Sequence, residues 1–297
     1  MASEELVNVI QILRTQPVVD GVTVEQMRSG MEAMTGGAPL PEGATFEEVD
    51  VDGVPAEWVT TEGAAADEVL LYLHGGGYAI GSIKTHRALA ANISKAAGVR
   101  VLLIDYRLAP EHPHPAAVDD AVTAWRWLLR QGLDPSRMVI SGDSAGGGLT
   151  MATLIALRDA GEALPACAVP ISPWVEMEAV SESWTTRAEA DPMVHIEGLK
   201  LMADWYLNGQ DPRAPLASPL HADLSGLPPL LVQVGDAEVL LDDSTRLVEK
   251  AKAAGVDATC DVIPDGIHVM HAFAPLVPEA TAAIDRLAAF VRQHLPS

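Results

Sequence analysis

The apolar residues near the N-terminus recur every three or four positions, which is the spacing of one face of an α-helix. One such run covers residues 6–13, and a second covers 24–34 before a Gly-Gly break. Residues 46–60 instead predict a β-hairpin with Asp52-Gly53 as its turn. The chain is therefore expected to begin with two helices followed by a two-stranded ribbon.

From residue 68 onward, short uninterrupted apolar runs alternate with longer stretches of helical spacing. Runs such as EVLLYLH at 68–74 lack the polar alternation of a half-exposed strand, which indicates burial on both faces of a sheet. The predicted strands are 68–74, 99–105, 137–143, 166–171, 229–234 and 256–263. The predicted helices are 85–97, 116–130, 144–160, 242–254 and 279–294. This alternation predicts the α/β class, with a mostly parallel central sheet flanked by helices.

One connection between two predicted strands is much longer than the others. Residues 172–228 separate two predicted strands and are rich in Trp, Met and Leu. Connections of this length normally have a function. We expect an insertion at about 175–215, together with N-terminal helices in 1–45, to form a helical cap on a catalytic core of residues 46–297. The alternative is that these helices simply pack on the core.

Composition and charge exclude several classes of protein. The 297 residues are 48% hydrophobic and 20% charged, which is typical of a globular protein and not of a disordered one. The 19 Lys+Arg against 41 Asp+Glu give a net charge of −22, which disfavours binding to nucleic acid or to anionic membranes.

Three features of the sequence indicate where the protein is located. No apolar run reaches the roughly 20 residues of a membrane span, and the N-terminus lacks the basic region of a signal peptide. The two cysteines cannot build a disulfide framework or a cysteine zinc site. The sequence therefore favours a cytoplasmic enzyme.

A candidate nucleophile lies between a predicted strand and a predicted helix. Residues 142–146, Gly-Asp-Ser-Ala-Gly, match the pattern G-x-S-x-G. A sharp turn at this place would expose the Ser144 hydroxyl at the carboxyl end of the strand, and small flanking residues would let the backbone segments approach. The alternative is that Ser144 only caps the following helix.

A second glycine-rich segment, His-Gly-Gly-Gly at 74–77, follows another buried strand. Backbone N–H groups in such a segment can point into a cavity and stabilise the negative oxygen of a tetrahedral intermediate. The expected donors are Gly76, Gly77 and Ala145, the residue after the nucleophile. A phosphate-binding loop is disfavoured because no lysine follows at the required spacing.

Ser144 needs a base, and in a sheet of this kind the base lies on a loop after the last strand. His268 lies just beyond the strand predicted at 256–263, which makes it the preferred candidate. His271 lies three residues later, where a helical turn is expected, and is the second choice.

The carboxylate that orients this histidine should follow the strand at 229–234. Asp242 and Asp243 have the position of first-turn acids on the next helix, where the helix dipole favours them. Asp236 and Glu238 lie in the loop itself, and their spacing does not decide between them.

Four motifs in this order resemble the bacterial members of the hormone-sensitive-lipase-like esterase family. They are HGGG at 74–77, YRLAPEHPHPA at 106–116, GDSAGG at 142–147 and GIHVMH at 266–271. The resemblance implies an α/β-hydrolase fold with a helical cap, and no cofactor or metal. By motif match it implies Ser144 as nucleophile, His268 as base, and Gly76, Gly77 and Ala145 as oxyanion donors.

The sequence departs from the family at the catalytic acid. The family's acid usually occurs as Asp-Pro-Leu-x-Asp, whereas residues 238–242 are Glu-Val-Leu-Leu-Asp. Glu238 is nevertheless our choice, although its extra methylene requires the loop to adjust. In the YRLAPEHPHPA segment, Arg107 is expected to pair with Glu111 and brace the site.

The family resemblance implies a serine carboxylesterase that hydrolyses short- to medium-chain esters through an acyl-enzyme, rather than a true lipase. An amidase or peptidase on the same scaffold is the alternative. A non-catalytic small-molecule receptor is disfavoured because the chain keeps His268. The expected partner is a small ester. Relatives often form homodimers through the edge near 256–263, which an exposed strand edge would explain.

Overall fold

A single eight-stranded sheet organises the molecule, in the order β1-β2-β4-β3-β5-β6-β7-β8. The computed structural model describes residues 2–15 and 21–296. The strands are β1 (Thr45–Val51), β2 (Val54–Thr60), β3 (Ala65–Leu73), β4 (Val99–Ile104), β5 (Met138–Asp143), β6 (Cys167–Ile171), β7 (Leu230–Gly235) and β8 (Ala258–Ile263). β1, β2 and β4 pair antiparallel, and the remaining pairs are parallel. The predicted mostly parallel sheet and the N-terminal hairpin are therefore confirmed.

Helices cover the sheet on both faces. They are α1 (Glu4–Arg14), α2 (Val24–Thr35), α3 (Ile83–Ala97), α4 (Ala116–Arg130), α5 (Ala145–Asp159), α6 (Ser183–Thr186), α7 (Ile196–Leu207), α8 (Leu241–Ala253) and α9 (Pro278–His294). The predicted elements agree with these to within a few residues. The largest difference is at the start of β3, which begins at Ala65 rather than 68.

Side chains from the continuous apolar run in β3 pack into the hydrophobic cores on both faces of the sheet. Leu71 and Leu73 join the core that contains Trp125 of α4, whereas Leu70 and Tyr72 join the core on the opposite face. Successive side chains of a strand point to opposite faces, so a strand buried on both faces needs apolar residues at every position.

The two N-terminal helices pack in different places. In α1 the buried Leu6 belongs to the core cluster that includes α9, and the backbone N and Oγ of Ser3 each donate to Glu279 at 2.7 Å. α2 packs instead against α3. Residues 1 and 16–20 of the segment predicted to contribute to the cap lie outside the described residues.

The long connection between β6 and β7 contains α6, α7 and a 3-10 helix at Pro219–His221. Buried residues from it, including Trp174, Trp184 and Tyr206, extend the core beyond the sheet. Across residues 2–15 and 21–296, every helix is too short or too polar to cross a membrane.

Candidate active site

Ser144 occupies the turn between β5 and α5 with an unusual backbone conformation. Its φ is +55° and its ψ is −119°, a region that costs a residue with a side chain roughly 1–3 kcal/mol. Backbone hydrogen bonds hold it there, since Ser144 N donates to Ile171 O at 2.8 Å and Trp174 N donates to Ser144 O at 2.9 Å. The side chain makes no capping hydrogen bond to α5. Ser144 therefore starts the helix without its hydroxyl acting as a cap.

The turn is tight enough to require glycine beside the serine. A Cβ placed on Gly146 would lie 1.9 Å from the carbonyl oxygen of Leu73 at the end of β3. That distance is far inside van der Waals contact with backbone atoms that cannot move away. The second glycine of G-x-S-x-G is therefore needed for the close packing of α5 on the sheet.

The structure brings His268 and Glu238 together. His268 lies on the loop after β8 and Glu238 in the turn after β7, and their Nδ1 and Oε2 atoms are 2.9 Å apart. Both side chains are buried. This hydrogen bond to Nδ1 leaves Nε2 as the ring nitrogen available for a reacting group.

The Glu238 carboxylate has a complete set of donors. Its Oε1 accepts from Gly235 N at 2.5 Å and from the Ser172 hydroxyl at 2.8 Å. The Ser172 oxygen in turn accepts from Val269 N, next to His268, at 3.2 Å. The bond to Gly235, three residues earlier, shows the side chain folding back over its own turn, which accommodates the extra methylene of glutamate.

Ser172 was missed by the sequence reasoning. It follows the carboxyl end of β6, beside the strand ends that carry Ser144 and Glu238. The rule used to find those residues, that functional groups follow parallel strands, could have found Ser172 as well.

The other candidates for the acid and the base make contacts outside the pair of His268 and Glu238. Asp236 is half-buried, and its backbone N–H bonds Ile263 O. His271 is buried, with its Nε2 3.0 Å from Gln233 Oε1, and burial lowers its pKa to about 4. Asp242 and Asp243 are in the first turn of α8, as the sequence predicted, and bind backbone or side-chain N–H groups of the connection before β7.

The pKa of His268 reflects two opposing effects. Burial disfavours the charged ring, but the hydrogen bond and negative charge of Glu238, together with two further carboxylates, outweigh this effect. The carboxylates of Asp191 and Asp143 act in the same direction as Glu238. The pKa of His268 is therefore raised above its ordinary value, so the surroundings stabilise an imidazolium.

The HGGG segment forms a loop after β3 with free backbone donors. Gly76 has φ +117°, and a Cβ there would lie 2.3 Å from Ile80 O, so no other residue fits. Among the described residues, the backbone N–H groups of Gly76, Gly77 and Ala145 have no hydrogen-bond partner. Gly76 and Gly77 line the same cavity as Ser144.

A buried cluster of polar side chains holds the HGGG loop through hydrogen bonds. Asp143, the residue before Ser144, accepts from Tyr72 Oη at 2.8 Å and from Gly75 N at 3.1 Å, and lies 3.3 Å from His86 Nε2. Burial alone would raise the pKa of Asp143, but His86 and the Tyr72 hydroxyl outweigh burial and lower it. An ionised Asp143 thus connects the nucleophile turn to the first glycine of the loop.

The predicted pairing of Arg107 with Glu111 is wrong. Arg107 pairs with Asp120 of α4, with Nη2 2.8 Å from Oδ1, because α4 begins close to the Arg107 backbone. Glu111 pairs instead with Arg28 of α2 at 2.7 Å. The segment does brace the HGGG loop, through a 2.6 Å hydrogen bond from Tyr106 Oη to His74 O.

Ser144 and His268 line one cavity of about 590 Å³. Most of its lining is apolar and comes from α2, α3, α7 and the segment after His268. Four methionines contribute to it: Met31, Met34, Met193 and Met202. Among the described lining residues there is no lysine or arginine. The cavity is therefore suited to an uncharged, largely apolar molecule.

The side chains that could share a metal ion lie away from this cavity in the described part of the chain. Among the described residues, one group of side chains, Glu176, Glu178 and His221, is close enough to share an ion. None of the three lines the cavity, and Arg213 already lies 3.5 Å from the Glu178 carboxylate.

Comparison with protein families matches residues 70–272 to a model described as "alpha/beta hydrolase fold". An acetyl-hydrolase of Streptomyces hygroscopicus is 50% identical over 245 residues, which cover 82% of this chain and 81% of the relative. An esterase of Acinetobacter venetianus is 37% identical, covering 80% of this chain and 78% of the relative.

Solved structures of esterases are also similar to this chain. A crystal structure of an esterase from the bacterial hormone-sensitive lipase family is 53% identical, with a TM-score of 0.97 and complete coverage of both chains. The structure of EstE5 soaked with p-nitrophenyl butyrate is 51% identical, with a TM-score of 0.95 and 99% coverage of both chains.

Proposed function

The chain belongs to the α/β-hydrolase family, among the bacterial hormone-sensitive-lipase-like esterases, and from this premise we propose that Ser144, His268 and Glu238 form its catalytic triad. The chain is a serine ester hydrolase. The observation that carries the triad is the 2.9 Å contact between His268 and Glu238 beside a cavity that also contains Ser144.

In the first half of the proposed reaction, Nε2 of His268 takes the proton of the Ser144 hydroxyl, and the serine oxygen attacks the ester carbonyl. The backbone N–H groups of Gly76, Gly77 and Ala145 hold the negative oxygen of the tetrahedral intermediate. They have no other partner to exchange, so little reorganisation is needed. His268 then donates its proton to the departing alcohol, leaving an acyl group on Ser144.

In the second half, His268 takes a proton from water, which attacks the acyl-enzyme. A second tetrahedral intermediate forms at the same N–H groups. It collapses as His268 returns its proton to the Ser144 oxygen, which releases the carboxylic acid and restores the serine hydroxyl and the neutral base. Glu238 fixes the ring through Nδ1 and stabilises the imidazolium in both steps. The serine and His268 share no hydrogen bond here, and such contacts often tighten only when substrate binds.

We propose short- to medium-chain carboxylic esters as the substrates. The apolar lining and the volume of about 590 Å³ suit a small acyl chain with its alcohol group. The relatives described as an acetyl-hydrolase and as EstE5 soaked with p-nitrophenyl butyrate support a short acyl group. An amide is the alternative substrate on the same machinery.

The test is hydrolysis of p-nitrophenyl esters from acetate to palmitate, beside p-nitroanilides of matched acyl chains. We expect the highest kcat/KM at short or medium chains and much slower cleavage of each matched anilide. Faster turnover of the anilides would make the protein an amidase, and no turnover of any ester would remove the proposed function.

A further inference from the structure

Asp191 is a buried carboxylate in the connection between α6 and α7, outside the proposed triad. Only 3% of it is exposed. Its Oδ1 accepts from Met193 N and Val194 N, both at 3.0 Å. Its Oδ2 accepts from Val239 N at 3.1 Å. One side chain thus joins two segments that are 48 residues apart in the chain.

The two segments have different tasks. Met193 and Val194 line the cavity, so they would contact a bound substrate. Val239 directly follows Glu238, so its peptide group fixes where the side chain of Glu238 begins. Asp191 therefore links the wall of the cavity to the turn that presents the carboxylate to His268.

A second contact from the same connection holds the same turn. The Ser183 hydroxyl donates to Val239 O at 2.6 Å, and Ser183 N donates to Asp242 Oδ2 at 2.8 Å. Val239 is therefore held at its N–H by Asp191 and at its carbonyl by Ser183. The turn carrying Glu238 is therefore hydrogen-bonded to the connection on both sides of the Val239 residue.

We propose that Asp191 is a positioning residue for the reaction, which holds the Glu238 turn against His268 and adds a second negative charge near the imidazolium. The proposal rests on the proposed function, because it assumes that Glu238 and His268 act as acid and base. It extends that function by linking the position of the cavity wall to the position of the Glu238 carboxylate.

The charges around His268 are consistent with this role. Glu238 approaches from the turn after β7, Asp191 from the connection before α7, and Asp143 from the end of β5. All three carboxylates favour the charged ring, against the effect of burial. Removing the charge of Asp191 should therefore lower the pKa of His268 and move the acidic limb of the kcat/KM profile to lower pH.

The test compares Asp191→Asn, Asp191→Glu and Ser183→Ala in the full chain, with Asp211→Asn as a matched control. Asp211 lies in the same connection and is exposed, and among the described residues its carboxylate accepts from Arg213 N alone, in its own turn. Rates are divided by the number of sites that react with an organophosphate, so that unfolded protein does not count. Thermal unfolding is followed in parallel.

We expect Asp191→Asn to lower kcat on the order of tenfold, with a smaller change in KM, and to shift the acidic limb to lower pH. Asp191→Glu keeps the charge, so its limb should stay at the wild-type position. Ser183→Ala should lower kcat without moving the limb, and Asp211→Asn should match the wild type. Ser183→Ala tests whether hydrogen bonds to the Glu238 turn affect kcat, even where Asp191→Asn folds poorly.

The proposal is overturned if Asp191→Asn keeps the wild-type limb, or if Asp191→Asn and Ser183→Ala both keep the wild-type kcat. Failure of the proposed function would look different, since the wild type itself would then not hydrolyse esters. Active wild-type protein with unaffected variants contradicts only the role of Asp191.

Discussion

Glu238 is held more firmly than a surface carboxylate because three hydrogen bonds fix its two oxygens. Gly235 N and the Ser172 hydroxyl bind one oxygen, and His268 binds the other. A carboxylate held in this way fixes both the tautomer and the orientation of its histidine. The exchange of the family's usual aspartate for glutamate is thus compatible with a well-ordered acid, because Ser172 and the strand end fix the longer side chain.

Substituting Glu238 by glutamine should separate this role from simple packing. We expect kcat to fall by about 10²–10⁴, because an amide cannot stabilise the imidazolium. The acidic limb of kcat/KM should also move. In the wild type it should lie above pH 6.5, the ordinary pKa of histidine being about 6.5, because the base works only when neutral and its pKa is raised. Without the Glu238 charge, the limb should shift to lower pH.

Asp236→Asn is the control for that substitution, since Asp236 is two residues away and shares its loop. It should keep the wild-type rate and profile. If Asp236→Asn lost activity while Glu238→Gln kept it, the acid would be Asp236.

At the scale of elements, α2 is attached to the nucleophile end of the sheet largely through Arg28. Its Nε donates to Ala79 O at 2.8 Å and its Nη2 to Ala109 O at 2.9 Å. The same guanidinium pairs with Glu111 and lowers the pKa of that carboxyl to about 2. Because α2 carries Met31 and Met34 into the cavity, this attachment should determine how well substrate is bound.

Arg28→Gln should therefore raise KM about fivefold, equivalent to ~1 kcal/mol, while kcat stays close to the wild-type value. The stability of the fold should change little, because the pair with Glu111 is half-exposed and such pairs contribute about 0–1 kcal/mol. Steady-state kinetics with p-nitrophenyl butyrate would measure both constants.

Arg14→Gln provides the comparison, since Arg14 ends α1 and its one side-chain hydrogen bond within residues 2–15 and 21–296 is an exposed contact to Glu189 O. It should leave KM unchanged. An unchanged KM in Arg28→Gln as well would mean that the contacts of Arg28 do not govern how α2 contributes to substrate binding.

The elements were predictable from the sequence because their signals are local. The run at 68–74 predicts a doubly buried strand by itself, and G-x-S-x-G between a strand and a helix predicts the sharp turn of Ser144. His268 could be chosen because base residues in this class follow the last strand.

Contacts between distant segments were not predictable in this way. We expected Arg107 to pair with Glu111 of its own segment, but folding places Asp120 beside Arg107 and Arg28 beside Glu111. Asp191 and Ser172 carry no motif, and their importance depends on which backbone groups they meet. Such roles follow from the packing of the long connection on the sheet.

For the whole molecule, the net charge and the lining of the cavity both disfavour an anionic substrate. The net charge is −22, and no lysine or arginine lines the described part of the cavity. An anionic substrate would meet a negative field during approach and would lose its hydration without gaining a partner. The molecule should therefore select neutral esters.

This selection can be measured with methyl butyrate and monomethyl succinate, which are similar in length but differ by one carboxylate. We expect kcat/KM for the neutral ester to be at least about tenfold higher. Added salt should reduce the part of the difference that arises from the long-range field, but not the part due to desolvation. Equal rates at low salt would show that charge does not govern entry to the cavity.

The most direct measurement for the catalytic account is kcat/KM of Ser144→Ala on p-nitrophenyl butyrate, with Ser141→Ala as the matched control. Ser141 lies on β5, three residues before Ser144, and its buried hydroxyl donates to Val169 O without lining the cavity. We predict that Ser144→Ala loses at least ~10⁴-fold while keeping the wild-type unfolding temperature, and that Ser141→Ala keeps its rate per folded molecule. A folded Ser144→Ala protein with near wild-type turnover would contradict the account, because no acyl-enzyme could then form on that serine.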